Sequence, residues 1–208
     1  TAANRPATIG SMAPSAALLL IVVVFPLWIA AGLADWACHR ATRIESTSGL
    51  TESLLHWALL AQAGAAVLAM AFLEINAAVL LIVLAAFLLH ELTVWVGLRY
   101  TVPRRNVRPI EQMVHSFEEL LPLAALILLA AIAWDQALAL VGAGSESADF
   151  GLRWKEQPLP PALLLGGAGA VLLFNVLPLA QETAACLRAR RRGLNALRRR
   201  TRPSPGPR

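Results

Sequence analysis

Charge is scarce in this 208-residue chain: 15% of residues are charged, 57% are hydrophobic, and the mean hydropathy is +0.60. A soluble globular domain usually carries about 25% charged and about 45–50% apolar residues. The shortage excludes a soluble domain as the main body and predicts one polytopic membrane bundle. Cysteine is scarce too. Cys38 and Cys186 provide no disulfide framework, and both fall on the side assigned below to the cytoplasm, where thiols stay reduced. Tyr100 is the only tyrosine; its position near a span end reads as an interfacial anchor. Aromatic residues are missing from the arginine-rich end, so stacking on bases has no platform there and no nucleic-acid partner is expected.

What the chain does have is long apolar runs. Ala13 to Ala34 is unbroken and meets the ~20 residues a helix needs to cross the hydrocarbon core. It is longer than a usual signal-peptide core, and the DWACH that follows is not a small-residue cleavage site, so it reads as a span. Pro26 should kink it. Further spans are expected at Leu54–Leu73, Ala77–Leu98, about Met113–Trp134 with a kink at Pro122, and about Ala162–Ala180, interrupted by Asn175 and Pro178. Ser46 to Gly49 reads as a turn and Thr51 as a helix cap. Residues 135–160 form the longest loop, and the proline-ended terminus reads as disordered.

With five spans, one face receives fifteen Lys and Arg residues and the other receives Arg5, Arg153 and Lys155. The positive-inside rule then places the N-terminus outside and the C-terminus in the cytoplasm. The expected fold is all-α, with residues 1–185 as a single five-helix transmembrane domain and 186–208 as a basic cytoplasmic tail. That tail suits anionic lipid.

Topology exposes a pattern that the linear sequence hides. All four histidines, His39, His56, His90 and His115, fall at the cytoplasmic ends of spans. Polar groups at this density in a membrane helix are costly unless paired. The richest stretch is Asp35 to His56, DWACHRATRIESTSGLTESLLH. Asp35 and His39, Glu52 and His56, and Glu111 and His115 are each four residues apart, so each pair shares a helix face. Carboxylate–imidazole pairs directed into a bundle are how di-iron and di-manganese sites are built, there with Glu-x-x-His spacing. The candidate ligands are Asp35, His39, Glu52, His56, His90, Glu111 and His115, with Glu45, Glu91 and Glu118 as further ligands or as groups orienting the imidazoles. Glu182 lies at the same level on the fifth span. So many donors exceed one tetrahedral zinc and predict two metal ions, iron first, with zinc or manganese as alternatives.

The strings DWACHR, IESTSG, ESLLH, HELTVW and IEQMVHSFEELLP resemble a group of uncharacterised bacterial inner-membrane proteins over about residues 25–125. The resemblance implies a multi-pass fold in the bacterial inner membrane. Some members carry a diguanylate cyclase label, for which this sequence has no matching motif. More distantly, the chain is similar to membrane fatty-acid desaturases and hydroxylases, which use histidine-rich boxes for di-iron; this chain has no HxxxH. The alkaline ceramidase group shares an Asp-Trp-Cys start and a membrane zinc site, with a different histidine pattern.

Three functions follow as expectations. The first is a di-metal oxidoreductase, non-haem di-iron, acting on a membrane-associated substrate. The second is a zinc-dependent hydrolase of lipid-like substrates, with Glu118 as base. The third is a non-enzymatic small subunit of a larger membrane complex, with the bilayer and a complex partner as its contacts.

Overall fold

A computed structural model describes residues 12–200. Five helices are long and apolar enough to cross a membrane: α1 (Ala13–Thr42), α2 (Leu50–Phe72), α3 (Ala77–Thr101), α4 (Pro109–Ile132) and α6 (Pro161–Asn195). A short helix, α5 (Trp134–Leu140), lies between α4 and α6. Among the described residues there is no β-strand, only an isolated bridge between Leu73 and Trp154. The expected all-helical architecture with five membrane-length helices is the observed one.

Several boundaries differ from expectation. Gly49, with φ of 67°, precedes α2, which begins at Leu50. The chain reverses through a left-handed conformation that glycine adopts without steric cost, so Thr51 already lies inside the helix. α5 occupies the start of the expected 135–160 loop. The helix that carries the last span does not stop near Ala180 but continues to Arg200, as its Ala, Leu and Arg content favours. The disorder expected at the extreme terminus falls outside the described residues.

Pro26 and Pro178 are each preceded by a π-turn, Leu20–Val24 and Leu172–Val176. Proline lacks an N–H and its ring crowds the carbonyl four residues back; a widened turn relieves that contact. Phe25 N–H bonds Leu20 O and Leu177 N–H bonds Leu172 O across these turns.

α2 packs along α3, and α1 along α4. The first contact buries Ala66, Ala69, Val79, Leu80 and Val83 with Leu129 of α4. The second buries Val24, Ala31, Leu121 and Ala125. Small residues at these seams let the backbones approach, which drives helix association where lipid and side chain are equally apolar. α6 behaves differently along its length. Its first half, Pro161–Val171, has no buried residue, whereas Glu182 and Cys186 on its second half are buried.

The two ends of the bundle are closed by different devices. At the N-terminal end of α3, Asn76 accepts a hydrogen bond from Val79 N–H and donates to Gly151 O. Gln136 of α5 accepts from Ala77 and Asp149 N–H groups, which fastens the 147–156 segment. At the opposite end, Arg43 in the left-handed region terminates α1, and Ile44 is buried beneath it. Tyr100 donates to Ser48 O at 3.0 Å, tying α3 to the turn before α2. Arg40, Arg99 and Arg104 stack over Trp36, Trp95 and Tyr100 around this rim, the snorkelling arrangement of interfacial arginine.

Candidate metal centre

Helical spacing brings the polar residues together. Asp35 and His39 lie one turn apart on α1, Glu52 and His56 one turn apart on α2, and Glu111 and His115 one turn apart at the start of α4. α1 packs on α4 and α6 packs on α2, so these faces and that of Glu182 meet at one end of the bundle. Asp35, His39, Glu52, Glu111 and Glu182 are all buried.

The Asp35 carboxylate is the meeting point of three imidazoles. Its Oδ1 is 3.0 Å from His115 Nε2 and 3.3 Å from His39 Nε2; its Oδ2 is 3.8 Å from His56 Nε2. Glu182 stands behind two of these rings, with Oε2 3.0 Å from His39 Nδ1 and Oε1 3.9 Å from His56 Nδ1. The His39 and His56 rings are 4.5 Å apart. A carboxylate on the far nitrogen fixes the tautomer and points Nε2 forward, the usual support for an imidazole that binds a metal.

Two sets of donor atoms have metal-site spacing. One donor atom from each of Asp35, His39, Glu111 and His115 lies within 4.8 Å of the others; His39, His56 and Glu182 form a second such set. His39 belongs to both. Its Nε2 is buried and is not hydrogen-bonded, yet it lies 3.3, 3.5 and 3.7 Å from oxygens of Asp35, Glu111 and Glu52.

Arg105 changes the electrostatic balance. Its guanidinium reaches Glu52 through Nε at 3.1 Å and Nη2 at 2.5 Å. It also reaches Glu111 through Nη1 at 2.9 Å and through Nη2. Burial opposes its charge; the hydrogen bonds to Glu111 and Glu52 outweigh burial and hold it above the usual arginine range. Ser48 donates to Glu52 as well. The cluster buries four carboxylates (Asp35, Glu52, Glu111, Glu182) and one guanidinium, which engages only Glu52 and Glu111. With every carboxylate ionised, three negative charges need compensation, because buried charge without a partner is strongly unfavourable. Protons on three imidazoles can supply it, as can a divalent cation together with one such proton. The donor chemistry fits a cation: oxygen and imidazole nitrogen, with no thiolate required.

The remaining candidates lie outside both sets. Glu118 is on the wall of the cavity that opens from the cluster, within electrostatic reach of Asp35 and His39. His90 is buried on α3 and lines the same cavity. Glu91 is half-buried nearby, within electrostatic reach of Glu119. Glu45 sits half-buried in the 3-10 turn Ile44–Ser46.

Glu182 and Arg105 are the residues whose role the sequence did not disclose. Glu182 lies seven residues after Asn175, so both share a face of α6, and Asn175 donates to Ile29 O of α1. That spacing of two polar residues in an apolar span was the available signal. Arg105 is one of four arginines between Arg99 and Arg108, and nothing in their order distinguishes the buried one. Comparison with protein-family models, curated proteins and solved structures finds no match.

Proposed function

We propose that the chain is a multi-pass membrane metalloenzyme that binds one divalent ion, zinc by ligand type, through Asp35, His39 and His115 and hydrolyses a lipid-like substrate. The observation behind this reading is the convergence of His39 and His115 on the buried Asp35 carboxylate, with Glu182 supporting His39 from behind. Two imidazoles and a carboxylate with an open fourth position are a catalytic zinc arrangement. Arg105 is what favours hydrolysis over di-iron chemistry. Di-iron bundles use four carboxylates as ligands, and here Arg105 already engages Glu52 and Glu111.

The ion would polarise a carbonyl and lower the pKa of a bound water. Glu118, on the cavity wall, would be the base that accepts a proton from the attacking water and would return it to the leaving nitrogen or oxygen as the C–N or C–O bond breaks. His56, 19% exposed on the cavity side, holds the developing oxyanion or leaving group. By the positive-inside count, this end of the bundle faces the cytoplasm, and the helical arginine extension of α6 rests on anionic lipid.

The test is cleavage of fluorogenic long-chain amides and esters by the purified full-length protein. Activity should stop with a chelator, return with zinc, and fall at least a hundredfold in Glu118→Gln while metal content is unchanged. Activity indifferent to the chelator would overturn the reading.

The second donor set, His39, His56 and Glu182, favours one other reading. A second ion there would give a di-metal centre sharing His39, suited to an oxidoreductase. Two irons per chain after anaerobic loading, with iron-dependent absorption on exposure to oxygen, would select it.

A further inference from the structure

A cavity of about 720 Å³ runs from the Asp35–His39 cluster toward the opposite end of the bundle. Its polar lining is concentrated at the cluster. Beyond it the wall is apolar: Trp28 and Ile21 on α1, Leu59 and Val67 on α2, Leu164 and Val171 on α6. Lys155 and Leu159 of the outer segment line its far end. The α1 wall extends from Asp35 back to Ala17, a helical rise of about 27 Å, close to the ~30 Å of a hydrocarbon core. The cavity is therefore nearly as deep as a leaflet pair, with most of its carboxylates and histidines gathered at one end and Lys155 at the other.

The wall formed by α6 is uneven. Among the described residues, side-chain hydrogen bonds from α6 to other helices start at Asn175 and continue inward through Glu182 and Thr183. The segment Pro161–Val171 has no buried residue, and Leu165 is 74% exposed. It contributes Gly167 to the cavity wall. The cavity is thus separated from lipid on that side by a glycine-containing helix that is weakly held.

We propose that this cavity takes a long alkyl chain of a membrane amphiphile drawn from the bilayer. The head lies at the Asp35 cluster and the chain end near Ala71. An amphiphile in a bilayer already has its head at the interface and its chain along the membrane normal, so it enters without turning over. Transfer from lipid to an apolar wall costs the chain little, leaving specificity to the head. Placing the head at the cluster rests on the metal reading above; the chain site rests on the cavity itself.

Gly64 supplies the test. It lines the cavity, and a Cβ added to it meets nothing within 4 Å. It lies eight residues after His56, about 12 Å along α2. A large side chain here should therefore block the chain partway. The probe is a hexadecanoyl amide bearing a diazirine at its chain terminus, presented to the full-length protein in phosphatidylcholine nanodiscs. An octanoyl analogue is the short control.

The hexadecanoyl probe should label around Ala71 and Leu164, and the octanoyl probe below Gly64. Gly64→Ala should label as wild type. Gly64→Phe should lose distal labelling at least tenfold while keeping octanoyl labelling. Val67→Trp, one turn further out, serves if Gly64→Phe does not fold. Distal labelling unchanged in the bulky variant overturns the proposal, as does equal labelling of the lipid-facing Leu84 and Leu88. Metal content measured on the same samples separates the two claims. Metal without cavity labelling refutes the chain site alone; cavity labelling without metal leaves the chain site standing and refutes the metal reading.

Discussion

The two halves of α6 do opposite things, and their sequences differ to match: Pro161–Val171 has no polar side chain, whereas Asn175, Gln181, Glu182 and Thr183 follow it. From Asn175 inward, side chains tie it to its neighbours: Asn175 to Ile29, Glu182 to His39, and Thr183 to both Ser53 and Trp57. From Pro161 to Val171 nothing is buried. In a lipid environment an apolar side chain gains little by choosing protein over lipid. Polar contacts therefore decide which part of a span is held. The inner end of this bundle is a polar lock, and the outer half is an apolar space with a loosely held wall. A rigid site beside an accessible chain cavity follows from that distribution.

The comparison breaks first at Arg105. Replacing it by methionine leaves Glu52 and Glu111 buried without their shared cation, which should cost about 3–5 kcal/mol. Thermal unfolding in detergent should show the largest drop of this series, and Glu52→Gln in the same chain should recover part of it. Thr183→Val comes next. It leaves the Trp57 indole N–H and the Ser53 hydroxyl without their partner, a loss of about 1–3 kcal/mol in the same assay. Leu165→Ala, on the free half of α6, should change stability by less than about 0.5 kcal/mol. A Leu165 effect as large as that of Thr183 would contradict the division of α6 into held and free halves.

The smallest effect concerns the outer segment. Asp149 is held below the usual carboxylate range by hydrogen bonds from Arg153 and the Gly151 N–H. A lowered folded-state value means that its contribution is present above the unfolded aspartate range and is lost as pH falls through the folded value. Protection of the Gly151 amide, taken relative to its intrinsic exchange rate at each pH, should be unchanged between pH 5 and 8 and should fall only below about pH 4. Metal content at those pH values gives a readout of whether the inner end is affected.

Much of the fold was legible because spans are written in composition. Runs from Ala13, Leu54, Ala77, Met113 and Ala162 each approach the length a helix needs, and the five helices stand where those runs do. The boundaries were less legible. Gly49 rather than Thr51 starts α2 because a positive φ, invisible in a propensity count, sets the entry. The helix through Arg200 was hidden because a basic run reads equally as helix or tail.

The four-residue pairs Asp35–His39, Glu52–His56 and Glu111–His115 were legible as shared helix faces, and the bundle brings them to one place. Their partners were not. Whether Glu52 and Glu111 face a metal or a guanidinium depends on the path of the Arg99–Arg108 segment, which encodes no periodicity. His90, expected at the same level, lies deeper: it stands eleven residues before the end of α3 at Thr101 and shares a wall with Trp28, Ala66, Val83 and Ala125, so it lines the cavity rather than the cluster.

The most direct measurement is metal content per chain of the purified full-length protein, after zinc loading and removal of excess, in wild type, His39→Ala, His115→Ala and His90→Ala. The account predicts about one ion per chain in wild type and in His90→Ala, and less than about a tenth of that in the other two. Wild type without stoichiometric metal, or loss in His90→Ala equal to that in His39→Ala, would contradict it and leave the inner cluster as a proton-balanced ion-pair network.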